Sequence, residues 1–187
     1  LYWKILLDEI DFENVGFALK MPQDSLFVRT MLPKTTLKDG VIDLKEASYY
    51  VKSFDMDNAE LAYGPKEELS LKKIGLQLDS IYYCGRDIRA NIEEFVFKER
   101  SGLELVSTEG RIASDSVLIQ IPKFTMKTTA SSLDLQTKIG WDVLEMKKTG
   151  VLSAKINAEI GKGDVAKILG GRDTLFLQTY PNKPFVF

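Results

Sequence analysis

Apolar and polar residues alternate along most of this chain. Trp3, Ile5 and Leu7 begin the pattern, and Val15, Phe17 and Leu19 continue it, followed by Leu26, Val28 and Leu32. It returns at Ile42 and Leu44, at Ala47, Tyr49 and Val51, and at Ala59, Leu61 and Tyr63. Further stretches are Leu69/Leu71, Ile74/Leu76/Leu78, Ile81/Tyr83, Ile88/Ala90/Ile92, Val117/Ile119/Ile121, Leu133/Leu135/Ile139 and Leu152 to Ile160. A period of two places every apolar side chain of a strand on one face, so the pattern predicts strands with one buried face.

The phase slips at regular places. The signature apolar-x-x-apolar-x-apolar recurs as Leu7–Ile10–Phe12, Val51–Phe54–Met56, Ile92–Phe95–Phe97 and Ile121–Phe124–Met126. Residues three apart in a regular strand face opposite ways. A β-bulge restores the face and bends the strand; a corner between two sheets is the other way to absorb a slip. Bulges and bends are the preferred reading, and they predict a strongly curved sheet.

A longer repeat is also present. Offsets of +2, +11, +14 and +16 give Ile42, Val51, Phe54 and Met56 from Gly40, and Ile112, Ile121, Phe124 and Met126 from Gly110. The expectation is a duplicated strand-turn-strand unit that stacks on neighbours because it cannot close its own core.

Helix signals are few. Asp164 is expected to cap a short helix over about 164–170, closed by Gly170-Gly171, and Asp142 to Lys148 is a weaker candidate. Turns are expected at Pro22-Gln23-Asp24-Ser25, Lys38-Asp39-Gly40, Gly64-Pro65 and Ser101-Gly102. The fold class is therefore all-β with minor α: an elongated, strongly curved antiparallel sheet built from strand-turn-strand units. The whole of 1–187 reads as one β-repeat segment, with possible sub-units 1–64, 65–130 and 131–187. The start at Leu-Tyr-Trp, without Met, reads as a piece of something longer.

Composition narrows the function. A net charge of −2 argues against a nucleic-acid module. With no histidine, imidazole-based catalysis and histidine metal ligands are excluded, and one cysteine, Cys84, cannot build a thiolate zinc site or an internal disulfide. Gly161-Lys162-Gly163-Asp164-Val165-Ala166 has the spacing of a dinucleotide fingerprint. Asp164 would oppose a pyrophosphate there, and no acid follows about 20 residues on for a ribose.

The acid pairs Asp8/Glu9 and Glu93/Glu94 read as solvated surface, as do Asp55, Asp57, Asn58 and Glu60, whose spacing fails a calcium loop. The aromatics Tyr49, Tyr50, Phe54, Tyr63, Tyr82, Tyr83, Phe95 and Phe97 are expected to pack across strands on one sheet face. No catalytic residue, metal or cofactor is expected, so the function should lie in the surface and not in enzymatic chemistry.

The stretch Lys98-Glu99-Arg100-Ser101-Gly102-Leu103-Glu104-Leu105 runs on through Gly110-Arg111-Ile112 to Ile119-Gln120-Ile121-Pro122. Together with Gly161-Lys162-Gly163-Asp164-Val165, Tyr180-Pro181-Asn182-Lys183-Pro184 and the opening Ile10 to Phe17, it resembles the AsmA-like/TamB proteins of the Bacteroidetes. The resemblance implies an internal segment of an inner-membrane-anchored protein that crosses the periplasm as a taco-shaped sheet with an apolar groove. Its implied task is phospholipid movement between inner and outer membrane, or support of outer-membrane protein assembly. Implied partners are phospholipid acyl chains, neighbouring β-repeats of the same chain, and an Omp85-type barrel reached through a part not present here. Candidates for the apolar lining are Ile42, Leu44, Phe54, Met56, Ile81, Tyr83, Phe95, Phe97, Ile119, Ile121, Phe124 and Met126. The alternative is a structural or adhesive β-domain that binds protein through an exposed edge strand.

Overall fold

A computed structural model describes residues 2–21, 26–64, 68–146, 150–170 and 174–186. Ten strands follow one another in a single antiparallel sheet whose spatial order is the chain order. They are β1 (Lys4–Met21), β2 (Leu26–Asp43), β3 (Ser48–Tyr63), β4 (Leu69–Cys84), β5 (Asp87–Glu99), β6 (Glu104–Ser114), β7 (Leu118–Thr128), β8 (Ser132–Gly140), β9 (Leu152–Ile160) and β10 (Phe185–Val186). Short helices α1 (Trp141–Leu144), α2 (Lys162–Leu169) and α3 (Thr174–Thr179) gather at the C-terminal end. The expected all-β class with minor helix is what the fold shows, and the sheet is curved and not closed.

The strands shorten along the chain, from 18 residues in β1 to 9 in β9, so the sheet tapers. Its ladder runs without a break past residues 64 and 130, from β3 to β4 and from β7 to β8. No helix among the described residues is long and apolar enough to cross a membrane.

The phase slips are resolved in two ways. Between β1, β2 and β3 the register never shifts, because each strand carries its extra residue at the same level. These are not bulges of one strand against another, as the sequence suggested. Asn14, Asp39 and Asn58 take the left-handed conformation at the slips (φ 54°, 52° and 54°), which Asn and Asp tolerate best among residues with a Cβ. Lys73 and Ser80 do the same in β4. True bulges begin between β3 and β4, around Ala59, and recur in β4 against β5, β6 against β7, and β7 against β8 between Ile121 and Phe124.

Two local expectations fail. Lys38-Asp39-Gly40 is not a turn; it lies inside β2, and the left-handed Asp39 answers to the slip. The turn falls instead at 44–47, where the Asp43 carboxylate accepts the Lys45 and Glu46 N–H groups. Nor is Asp164 an N-cap. Gly161 occupies that position, and Asp164 lies inside α2. Gly170 closes the helix in the left-handed conformation, while Gly171 lies outside the described residues. The second helix candidate shortens to Trp141–Leu144; Lys147 and Lys148 lie outside the described residues, as does the Pro22–Ser25 turn. Ser101-Gly102 turns as expected.

Candidate functional site: the apolar face

The register places apolar residues in continuous rows across the sheet. One row is unbroken through nine strands: Ile10, Leu37, Phe54, Leu78, Ile92, Gly110, Phe124, Leu135 and Ile156, each paired with the next. A second row passes through Phe12, Thr35, Met56, Leu76 and Phe95, and its counterpart further on is Thr108, Met126, Leu133 and Ala158. On the other flank, Leu7, Gly40, Val51 and Ile81 form a row, and Ile5, Ile42, Tyr49, Tyr83 and Ile88 another.

Eleven of the twelve sequence-derived candidates lie on strands and share this face. Ile42 and Tyr83 lie on the outer row, Ile81 on the next, and Phe54 and Phe124 on the unbroken one; Ile121 and Ile119 pair with Thr137 and Ile139 on the same flank of β7. Met56, Phe95 and Met126 follow, and Phe97 pairs with Leu105 beyond them. Leu44 lies in the turn after β2, its N–H bonded to the Trp3 carbonyl. The Leu7 and Val51 copies of the slipped signature occupy the same three rows, the Ile121 copy meets them at the middle one through Phe124, and the Ile92 copy in β5 is displaced by one. The longer repeat holds for β3 and β7: Phe54 and Phe124 share the unbroken row, and Val51/Ile121 and Met56/Met126 flank it at the same offsets. It fails for its first halves, because Gly40 faces Val51 while Gly110 faces Phe124.

This face is not sealed. Among the described residues the fully buried apolar side chains are Ala59, Ala62, Ile74, Leu105 and Tyr180, mostly small or at one end. The central rows are half-buried. Toward the sheet's flanks the rows open: Phe12 is 41% and Phe17 55% exposed in β1, and Leu152 is 65% exposed in β9. Two hydroxyls lie within the apolar rows without a hydrogen-bond partner, Thr35 Oγ1 and Thr108 Oγ1, in residues only 3% and 2% exposed.

The opposite face is polar. Lys38 lies over Glu9 at 3.0 Å, and the hydrogen bond its ammonium donates to the Glu9 carboxylate, together with that group's charge, holds it above the usual lysine range. Depressions of about 750 and 770 Å³ lie on this side, one over Thr36, Asp55, Gln77 and Glu94, the other over Arg29, Lys72, Lys98 and Arg100. Contrary to the expectation of a single face, the aromatic residues divide: Tyr50 and Tyr82 pair on the polar side, with the Arg89 guanidinium 4.5 Å from the Tyr82 ring. Tyr49 and Tyr83 stay on the apolar side, 6.0 Å apart, and Phe95 and Phe97 are 5.5 Å apart.

The dinucleotide-like glycines serve packing. A Cβ at Gly161 would come within 2.1 Å of the Ala130 carbonyl oxygen, so only glycine lets α2 approach the β7–β8 turn. Asp164, 3% exposed, accepts hydrogen bonds from Thr128, Thr129 and Ser131 of that turn. Burial alone would push its carboxyl up; the hydroxyl bonds and the Lys167 charge outweigh this and leave it below the usual carboxylate range. Sequence reading missed this clasp. Its signal was a Thr-Thr-x-Ser turn, which offers hydroxyls to a carboxylate.

Cys84 is a sheet residue whose thiol donates to the Glu46 carbonyl at 3.4 Å. Among the described residues no group of three or more cysteines and carboxylates is arranged to hold a metal ion. Comparison of the chain with protein-family models, curated proteins and solved structures finds no match.

Proposed function

We propose that this chain is a segment of a periplasm-spanning β-protein whose apolar face carries phospholipid acyl chains between the inner and outer membranes, or supports outer-membrane assembly along the same route. The observation that carries this reading is the unbroken apolar row from Ile10 to Ile156, crossing nine strands and left unsealed. A row that runs across strands, perpendicular to the chain, is a track and not a pocket. Each methylene taken out of water onto it contributes about 0.8 kcal/mol. No polar group in the row grips a ligand at one point, so a chain bound there can slide.

The test is native mass spectrometry of the protein purified from a Gram-negative host, followed by organic extraction. Phospholipid should co-purify and be lost in Phe54→Glu and Phe95→Glu variants that keep their β-sheet circular dichroism. A lipid-free parent that also takes up no fluorescent phospholipid would sink the reading.

A second reading, protein binding through an exposed edge strand, is favoured by β1. Its 18 residues pair with β2 on one side and, among the described residues, with no strand on the other.

A further inference from the structure

We propose that the free edge of β1 receives an extended, amphipathic strand of another polypeptide segment that is basic on its polar side and adds antiparallel to the sheet. This rests on the edge reading above and names the partner's chemistry.

An edge strand exposes a row of unpaired N–H and C=O groups, and proteins usually blunt such edges with charged side chains, lysine above all, or with proline. The centre of β1 has no proline or lysine; its charges there are all acidic, which repels an acidic strand and leaves the edge open to a basic one. Its sequence between Lys4 and Lys20 holds no proline and no basic residue, and its apolar rows end there half-exposed at Ile5, Phe12 and Phe17. The other flank differs: β9 is only 9 residues long, and β10 covers its end at Ile160.

Two features select the occupant. The first is spacing. Apolar positions 3, 5, 7, 10, 12, 15, 17 and 19 read the same in both directions about Asp11. A partner must therefore carry both phase slips at matching levels, as β2 does. The second is charge. The centre carries Asp8, Glu9, Asp11 and Glu13 without a base between them. In β2 the residues opposite Glu9, Asp11 and Glu13 are Lys38, Thr36 and Lys34. A second copy of β1 would satisfy the spacing, but it would set Asp11 against Asp11 and Glu9 against Glu13, and like charges directly opposite destabilise a strand pair. Spacing admits a second copy; charge turns it away and favours a basic strand.

The probe is a synthetic peptide with the sequence of residues 26–43, which has the right slips and places lysines opposite Glu9 and Glu13. Charge is varied on the peptide, as K34E/K38E, so that folding of the protein is not at stake. Binding is read by fluorescence anisotropy on residues 1–187, and its location by hydrogen exchange.

The expected result is saturable binding that protects the outward amides of β1, leaves β2 protection unchanged, and weakens roughly tenfold or more for the acidic peptide. Equal binding of both peptides would overturn the basic partner and leave the edge reading standing. Failure of both peptides to bind would overturn both readings. Exposure of β2 amides would mean strand replacement, and parent protein that dimerises through β1 would mean a second copy; either overturns the proposal.

Discussion

Phe124 lies directly across from Gly110, with its ring in the space that a side chain at 110 would fill. A Cβ at Gly110 would come within 2.7 Å of Phe124 Cδ2. The glycine is thus part of the apolar row, covered by its neighbour's ring. Gly110→Ala should force Phe124 out of the row and destabilise the sheet by about 1–3 kcal/mol, the usual cost of overpacking. Gly40→Ala, whose Cβ would meet Leu7 Cβ at 3.2 Å, should cost less. Urea midpoints of the two variants check the order; equal midpoints would remove the ring's role.

Thr35 and Thr108 bury hydroxyls among apolar side chains. Replacing each by valine removes a desolvated polar atom without opening a cavity. Thr35→Val and Thr108→Val should each stabilise the protein by about 1–2 kcal/mol. A lower midpoint in chemical denaturation would show that these hydroxyls find partners.

Asp164 clasps the β7–β8 turn to α2. Its carboxyl is held below the usual range, so the folded state favours the ionised form. The stabilisation is therefore fully present above the unfolded pKa, near 3.9, and is lost as pH falls through the lower folded value. Asp164→Asn should cost about 1.5–3 kcal/mol at neutral pH, the range for hydrogen bonds to a charged group, and lessen the acid sensitivity of this end. Hydrogen exchange of α2 amides between pH 3 and 7 reads both effects. An Asn variant with the parent's acid profile would assign the sensitivity to another group.

The palindrome of β1 can be turned into a dimer interface by charge alone. In an Asp11→Asn/Glu13→Lys variant, Glu9 of one copy faces the introduced lysine of the other, twice, and the central repulsion is gone. The variant should shift toward a dimer at concentrations where the parent does not, as measured by light scattering after size exclusion. A variant that stays like the parent would show that spacing alone does not make β1 pair.

The sequence by itself determined the sheet, the face and most of the rows. Period two fixes which side of a strand a residue occupies, and each slip had to be absorbed if one face was to remain apolar; this is why eleven of the twelve candidates share a side, Leu44 alone falling in a turn. It also contained the β1 palindrome and the acids of its centre, both local patterns.

Tertiary structure decided what local pattern cannot encode. Whether a slip becomes a bulge depends on the neighbouring strand: Asp39 looked like a turn because its left-handed preference is the same in a hairpin and in a strand slip, and only the matching slips in β1 and β3 keep it inside β2. The Asp164 clasp joins residues 33 to 36 positions apart, and Tyr50 and Tyr82 left the apolar side because the faces of adjacent residues alternate whatever their chemistry. Above all, pairing order put β1 at one flank of the sheet, with a single neighbour among the described residues, and a hydrogen-bonding edge is visible only once that order is known.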